Sequence, residues 1–203
     1  RYGSAGLGWL KNRGPLTGDA RVAWLLVATA VPTGILGIGV LAVTDDLGDR
    51  TWLVAVSLIV FGLALYLADR RPSGRGLDDL RLRDALMLGT AQGLAFQPGV
   101  SRSGVTLTVA RGMGIDRGDA TRLVFLMSLP VIAGAGLVKA SDLVVPAGWW
   151  GAFAWGTIAA AVSGWFAIHW MLRLVARTGF GGIAVYRLVV GVSVLVLLAS
   201  SFR

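Results

Sequence analysis

The 203-residue chain is 55% apolar and 15% charged, with a mean hydropathy of +0.71, which leaves too little polar surface for a water-soluble globular fold. A formal charge of +8 and a pI near 11.2 would suit nucleic acid only if the basic residues gathered on a water-facing domain. Here they punctuate apolar runs, so membrane topology accounts for the charge, and the absence of cysteine excludes a disulfide framework and thiolate chemistry.

Arg1 to Arg21 is polar and basic and lacks the apolar core of a signal peptide. Beginning with Arg rather than Met, the chain reads as preceded by a further amino-terminal segment. The first charge-free run, Val22 to Thr44, matches the roughly 20 residues needed to cross about 30 Å of hydrocarbon, and Pro32 is expected to bend it. After the acidic turn at Asp45, Asp46, Asp49 and Arg50, a second span runs from Thr51 to Ala68 and is closed by Asp69, Arg70, Arg71 and Arg75. Asp78 and Asp79 fall where a half-helix is expected to begin and read as its caps.

The middle segment is different. Ala85 to Ser101 is uncharged, Arg102 follows, and the next charge is Arg111. The piece between the two arginines would rise only about 13 Å as a helix, less than half the bilayer core, so it cannot cross alone. The spacing predicts a re-entrant hairpin broken at Pro98 and Gly99, with its irregular backbone enclosed by protein or lining a cavity. Beyond it, Asp116 and Asp119 read as solvated members of a basic loop. Leu123 to Val138, Leu143 to Leu172 and Leu188 to Phe202 supply three more spans, with Tyr186 and several Trp as interfacial anchors and His169 as a structural residue.

The distribution of Lys and Arg supports this layout. A returning hairpin places Arg1 to Arg21, Arg70 to Arg83, Arg111 to Arg122 and Arg173 to Arg187 on one side, which is then cytoplasmic, and leaves Arg50, Lys139 and Arg203 outside. The predicted fold is an all-α polytopic membrane protein of about five transmembrane helices plus one re-entrant half-helix pair.

Chemistry concentrates at the hairpin tip. Gly99 and Gly104 let backbone amides approach an anion, and a half-helix starting near Ser103 aims unpaired N–H groups and a partial positive charge at it. Arg102 adds a permanent forked cation that matches phosphate oxygens two at a time. A charge at that depth is costly, which favours a functional arginine over a snorkelling one. Ser101, Ser103 and Thr106 offer hydroxyls for catalysis or for capping, and Gln92 and Gln97 offer amides for substrate or for interhelical contacts.

The run Pro98-Gly99-x-Ser101-Arg102-Ser103-Gly104-x-Thr106 resembles the second signature of the undecaprenyl-diphosphate phosphatase family, the bacitracin-resistance proteins. Gly76-Leu77-Asp78-Asp79, Ala91-Gln92 and Phe125-Leu126-Met127-Ser128-Leu129-Pro130 are similar to it as well, and the hydropathy agrees from about Val22 to Phe202. The resemblance implies two inverted repeats whose re-entrant hairpins meet at a site open to the outside of the bacterial plasma membrane. Residues 1–83 would be the remainder of the first repeat and residues 84–203 the second. It further implies hydrolysis of polyprenyl diphosphate to the monophosphate and inorganic phosphate, in the recycling of the cell-wall lipid carrier. Ser101, Arg102, Ser103 and Thr106 would be catalytic, and Gly99, Gly104 and Gln92 would bind substrate.

One departure stands out. The family's first signature, a glutamate-rich and then serine-rich stretch followed by a histidine, is absent, and the chain contains no Glu. The ligands of the expected divalent cation, Mg²⁺ or Ca²⁺, are therefore placed before Arg1, and this chain alone is expected to lack part of its active site. The implied partners are the lipid substrate and the membrane, with homo-oligomerisation open. A transporter or lipid flippase is the competing reading, because broken half-helices also serve transport. Against ion coupling, every Asp falls near a predicted membrane boundary.

Overall fold

In a computed structural model, residues 18–43, 50–140, 142–146 and 148–201 are described. Among them the regular elements are helical: α1 (Gly18–Val43), α2 (Thr51–Asp69), a short 3-10 turn (Leu77–Asp79), α3 (Leu82–Leu94), α4 (Arg102–Gly112), α5 (Arg117–Ala140), α6 (Trp150–Thr178) and α7 (Gly181–Ser201). Five of these are long and apolar enough to cross a membrane, over Gly18–Gly39, Thr51–Asp69, Arg117–Leu137, Trp150–Val175 and Gly181–Ser200. They match the five expected spans, and the chain is a polytopic membrane protein. Thr44, the acidic turn at Asp45, Asp46 and Asp49, and Phe202 lie outside the described residues.

The boundaries shift for identifiable reasons. Helix α6 starts at Trp150 rather than Leu143, because Pro146 and the positive φ of Gly148 (84°) interrupt the preceding backbone. Helix α5 begins at Arg117, with the Asp116 carbonyl accepting from Ala120 N–H at 2.7 Å. Helix α7 begins seven residues before Leu188 and takes Tyr186 and Arg187 into its first turns.

Helices α3 and α4 are too short to span, rising about 20 and 16 Å. They also return to the end from which they left. Arg75 pairs with Asp84 at the start of α3, while its backbone bridges Ile115 beyond the end of α4, with Arg75 N–H donating to Gly114 O at 3.1 Å. At this end the starts of α1, α3, α5 and α7 meet the ends of α2, α4 and α6. Arg21 Nη2 donates to Leu80 O at 2.7 Å, and Leu77 N–H donates to Asp119 at 3.2 Å. Asp119 thus ties α5 to the 3-10 turn instead of standing in a solvated loop. The expected capping role of Asp78 and Asp79 is also corrected: α3 begins only at Leu82, where Asp84 accepts from Arg81 N–H at 3.1 Å, whereas Asp79 caps the 3-10 turn through Gly76 N–H at 2.9 Å.

Asp84 lies outside the spanning helices. Burial acts to raise its carboxyl pKa, but hydrogen bonds from Arg75 and Arg81 N–H outweigh it and hold the group below its ordinary value. The sign follows: stability from this pair is fully present above the unfolded pKa near 3.9 and is lost as pH falls through the lowered folded value. Asp84→Asn should therefore flatten the acid limb of thermal unfolding in detergent below about pH 4.

The acidic keystone of the same end is Asp69, 7% exposed. Its carboxylate accepts from Arg117 Nε at 2.7 Å, Arg111 Nε at 3.2 Å and Phe180 N–H at 3.1 Å, so one side chain joins α2, α4, α5 and the α6–α7 turn. Arg111, 2% exposed, adds bonds to the carbonyls of Asp69 and Arg71. Gly179 makes the turn possible: its φ is +69°, and a Cβ there would lie 3.0 Å from Asp69 Oδ2.

Helix α3 lies along α1, and α2 along α7. Both pairings depend on small residues, as expected where lipid offers no hydrophobic drive between helices. Thr33 Oγ1 lies within hydrogen-bond reach of Thr29 O (2.8 Å) and Gly89 O (2.9 Å), sharing its proton across α1 and α3, and α1 runs through Pro32 as one helix. A methyl group on Gly89 would meet Thr29 O at 2.3 Å and the Pro32 ring at 2.6 Å. Gly89→Ala should cost about 1–3 kcal/mol of stability. Tryptophan-monitored thermal unfolding in detergent tests this, and an unchanged midpoint would contradict the packing.

Candidate functional site at the hairpin tip

The end of α3 unwinds through turns at Ala95 to Val100, and three contacts hold the tip. The ring of Phe96 packs where a Cβ on Gly37 of α1 would stand, 2.5 Å from Phe96 Cε2. On the other side Gly99, with φ +86°, lies so close to α2 that a Cβ would be 2.6 Å from Val54 O. Arg187 of α7 donates through Nη2 to Gly99 O at 3.1 Å and Val100 O at 3.0 Å.

Ser101 follows with φ 65°, the one positive-φ residue other than glycine among the described residues. It caps α4, its Oγ accepting from Gly104 N–H at 3.3 Å. The N–H groups of Arg102 and Ser103 are left without intrahelical acceptors and carry the positive end of the helix dipole. The Arg102 guanidinium stands over the Phe96 ring, 5.0 Å from its centroid, and has no carboxylate partner among the described ion pairs.

Two cavities flank this turn. One, of about 470 Å³, is lined by Gln92, Arg102, Ser103 and Ser128 together with Ala95, Val124 and Phe125. Gln92 is 1% exposed, and its Nε2 has no hydrogen-bond partner. A buried amide without a partner is costly, and this one lines a cavity that also holds a guanidinium. The second cavity, of about 390 Å³, is mostly apolar between α2, α5, α6 and α7, with Ser101, Gly104 and Arg187 among its lining residues. The two share Ser103, Val124 and Phe125.

The tip thus gathers six of the seven residues singled out from sequence: Gln92, Gly99, Ser101, Arg102, Ser103 and Gly104. The seventh, Thr106, is fully buried in α4 and donates its hydroxyl to Arg102 O at 2.8 Å, so it braces the first turn and lines neither cavity. Gln97 lines neither cavity, and His169 stacks on Trp165 on the exposed surface of α6. Sequence reasoning missed Ser128 as a wall of the polar cavity, and it placed Arg187 in a basic loop. That placement is corrected: Arg187 is 5% exposed inside α7 and touches the tip.

The arrangement has the chemistry to receive an anion. A guanidinium, free helix-start amides, two exposed hydroxyls and an unsatisfied amide converge, as phosphoryl transfer requires of its electrostatic half. A protein-held divalent cation does not fit the described residues, because no carboxylate or histidine lines either cavity and no group of three His, Cys, Asp or Glu could hold a metal.

Comparison with known proteins agrees with this chemistry. The model of the family described as bacitracin resistance protein BacA matches residues 4–193. An undecaprenyl-diphosphatase from Gemmatimonas aurantiaca is 44% identical over 187 residues, 90% of this chain and 68% of that protein. Those from a Nocardioides species and from Pelotomaculum thermopropionicum are 40% and 38% identical, covering 90% and 94% of this chain and 68% and 72% of their own lengths. With a family model matched over nearly the whole chain and relatives of this identity, the chain belongs to the BacA family of bacitracin resistance proteins.

Proposed function

We propose that this protein is an integral membrane hydrolase that converts undecaprenyl diphosphate to the monophosphate and inorganic phosphate, returning the lipid carrier to cell-wall synthesis and conferring bacitracin resistance. The observation that carries the reading is the convergence of Arg102, the free amides of α4 and the unpartnered Gln92 amide around one cavity.

The reaction breaks the anhydride P–O bond and forms a new P–O bond from water, whose proton passes to the products. Charge grows on the phosphoryl oxygens as it proceeds. Arg102 and the amides of Arg102 and Ser103 stabilise that charge, Gln92 donates to a phosphate oxygen, and the Ser101 and Ser103 hydroxyls contact the transferring group. Thr106 keeps the first turn in place, and Gly99 and Gly104 give the backbone room. A divalent cation would arrive with the diphosphate or be held by residues other than those described. Helices α1, α2, α5, α6 and α7 lie in the bacterial plasma membrane with the basic end cytoplasmic, the tip opens outward, and residues 84–203 form one repeat of an inverted pair.

The test is inorganic phosphate release from polyprenyl diphosphate by membranes expressing the complete native gene, with Mg²⁺ or Ca²⁺ supplied, comparing wild type with Arg102→Ala at equal protein level. Release that collapses in the variant supports the reading. Absence of release, or release indifferent to Arg102, moves the assignment to a transporter with an anion-binding hairpin.

A further inference from the structure

Arg187 is a buried cation that the proposed chemistry does not use. It has no carboxylate within ion-pair distance among the described residues, and its Nε has no hydrogen-bond partner. Removing a guanidinium from water without a counter-charge is unfavourable, so its retention calls for a return elsewhere in the fold. Its bonds indicate where. Nη2 bonds the carbonyls of Gly99 and Val100, the two peptides that lead directly into Ser101.

Ser101 holds a backbone conformation that residues with a Cβ rarely adopt, and such strain persists only where the surroundings fix the chain on both sides. Downstream, α4 fixes Ser101 through the Gly104 N–H cap. Upstream, Nη2 of Arg187 holds the two carbonyls, and Gly99 rests on α2. The space for the guanidinium comes from Gly104 itself, where a Cβ would lie 2.5 Å from Arg187 Nη1. Arg102 and Arg187 therefore serve the same turn from different sides, one lining the polar cavity and the other gripping the backbone.

We propose that Arg187 is a positioning residue for the reaction: by clamping the Gly99 and Val100 carbonyls it sets Ser101 and the free amides of α4 relative to Arg102. This rests on the phosphatase reading for its catalytic consequence, but the clamp itself can be read separately. A displacement of about 1 Å at a catalytic group can cost about 10²-fold in rate. Arg187→Gln should therefore lower kcat for phosphate release by about 10²-fold while KM changes less than about threefold. Both bonds leave one nitrogen, Nη2, so Arg187→Lys, whose ammonium carries three donors on one nitrogen but not the arginine's planar head, should recover about tenfold of that loss. Gly104→Ala keeps the arginine but displaces its guanidinium, and should lower kcat in the same direction; combined with Arg187→Gln it should add little.

A second readout follows the tip directly. The chain has no cysteine, so Gln97→Cys in the tip gives a single thiol in it, whose maleimide labelling should speed up several-fold when Arg187→Gln is added. Unchanged labelling overturns the clamp. Unchanged kcat despite faster labelling overturns its role in the reaction, as does a kcat loss that merely follows thermal stability across Arg187→Gln, Arg187→Lys and Gly104→Ala. Wild-type membranes that release no phosphate would sink the phosphatase reading and with it the catalytic role, while labelling still decides the clamp.

Discussion

Membranes carrying Arg102→Ala should release phosphate from polyprenyl diphosphate about 10²–10³-fold more slowly than wild type, the usual loss when one preorganised donor to a developing oxyanion is removed. The size follows from where the guanidinium stands. It sits over the Phe96 ring with no carboxylate partner among the described residues and beside amides at the start of α4, which leaves its charge available to the proposed substrate. Arg102→Lys is the sharper variant, since it keeps the charge but loses the planar fork and the stacking on Phe96. It should recover part of the rate and leave thermal unfolding unchanged. Equal rates for Arg102→Ala and wild type would remove Arg102 from the chemistry.

The second large effect is on stability. Asp69→Ala should cost about 3–5 kcal/mol, as expected when one member of a buried ion-pair network is deleted and its partner stays behind. Arg111 would remain buried with only carbonyls to face, and Phe180 N–H would lose its acceptor. Arg117 contributes less, because its side chain is 46% exposed and can turn to water. Tryptophan fluorescence against temperature in detergent measures the effect, and a midpoint within a degree or two of wild type would show that the network is dispensable.

The spans and the hairpin were legible because hydrocarbon thickness imposes a length on every uncharged run, and Arg102 and Arg111 left too little chain to cross. The gathering of candidate residues at the tip was legible for a related reason: Gly99, Ser101, Arg102, Ser103 and Gly104 fall within six consecutive positions, so local composition carried it. Asp69 and Arg111 are 42 residues apart, and Arg187 and Gly99 are 88 apart, separations at which periodicity holds no information. Arg187 was also masked by its neighbours. Lying next to the apolar run that starts at Leu188, it looked like the edge of a loop, whereas α7 had already begun at Gly181. Asp84 was overlooked as a cap because Asp78 and Asp79 precede it and satisfy the same pattern one turn early.

The order of the chain gives the Arg187 contact a consequence for biosynthesis. Chains emerge amino-terminus first, so α2 and the hairpin are made well before α7, whose Arg187 trails Gly99 by 88 residues. A nascent protein halted after α5 already contains the whole signature but not the group that fixes its strained serine. On the proposed role of Arg187, competence of the hairpin tip is deferred until a late helix inserts, and losses at the carboxyl-terminal side would silence the signature without altering a residue of it.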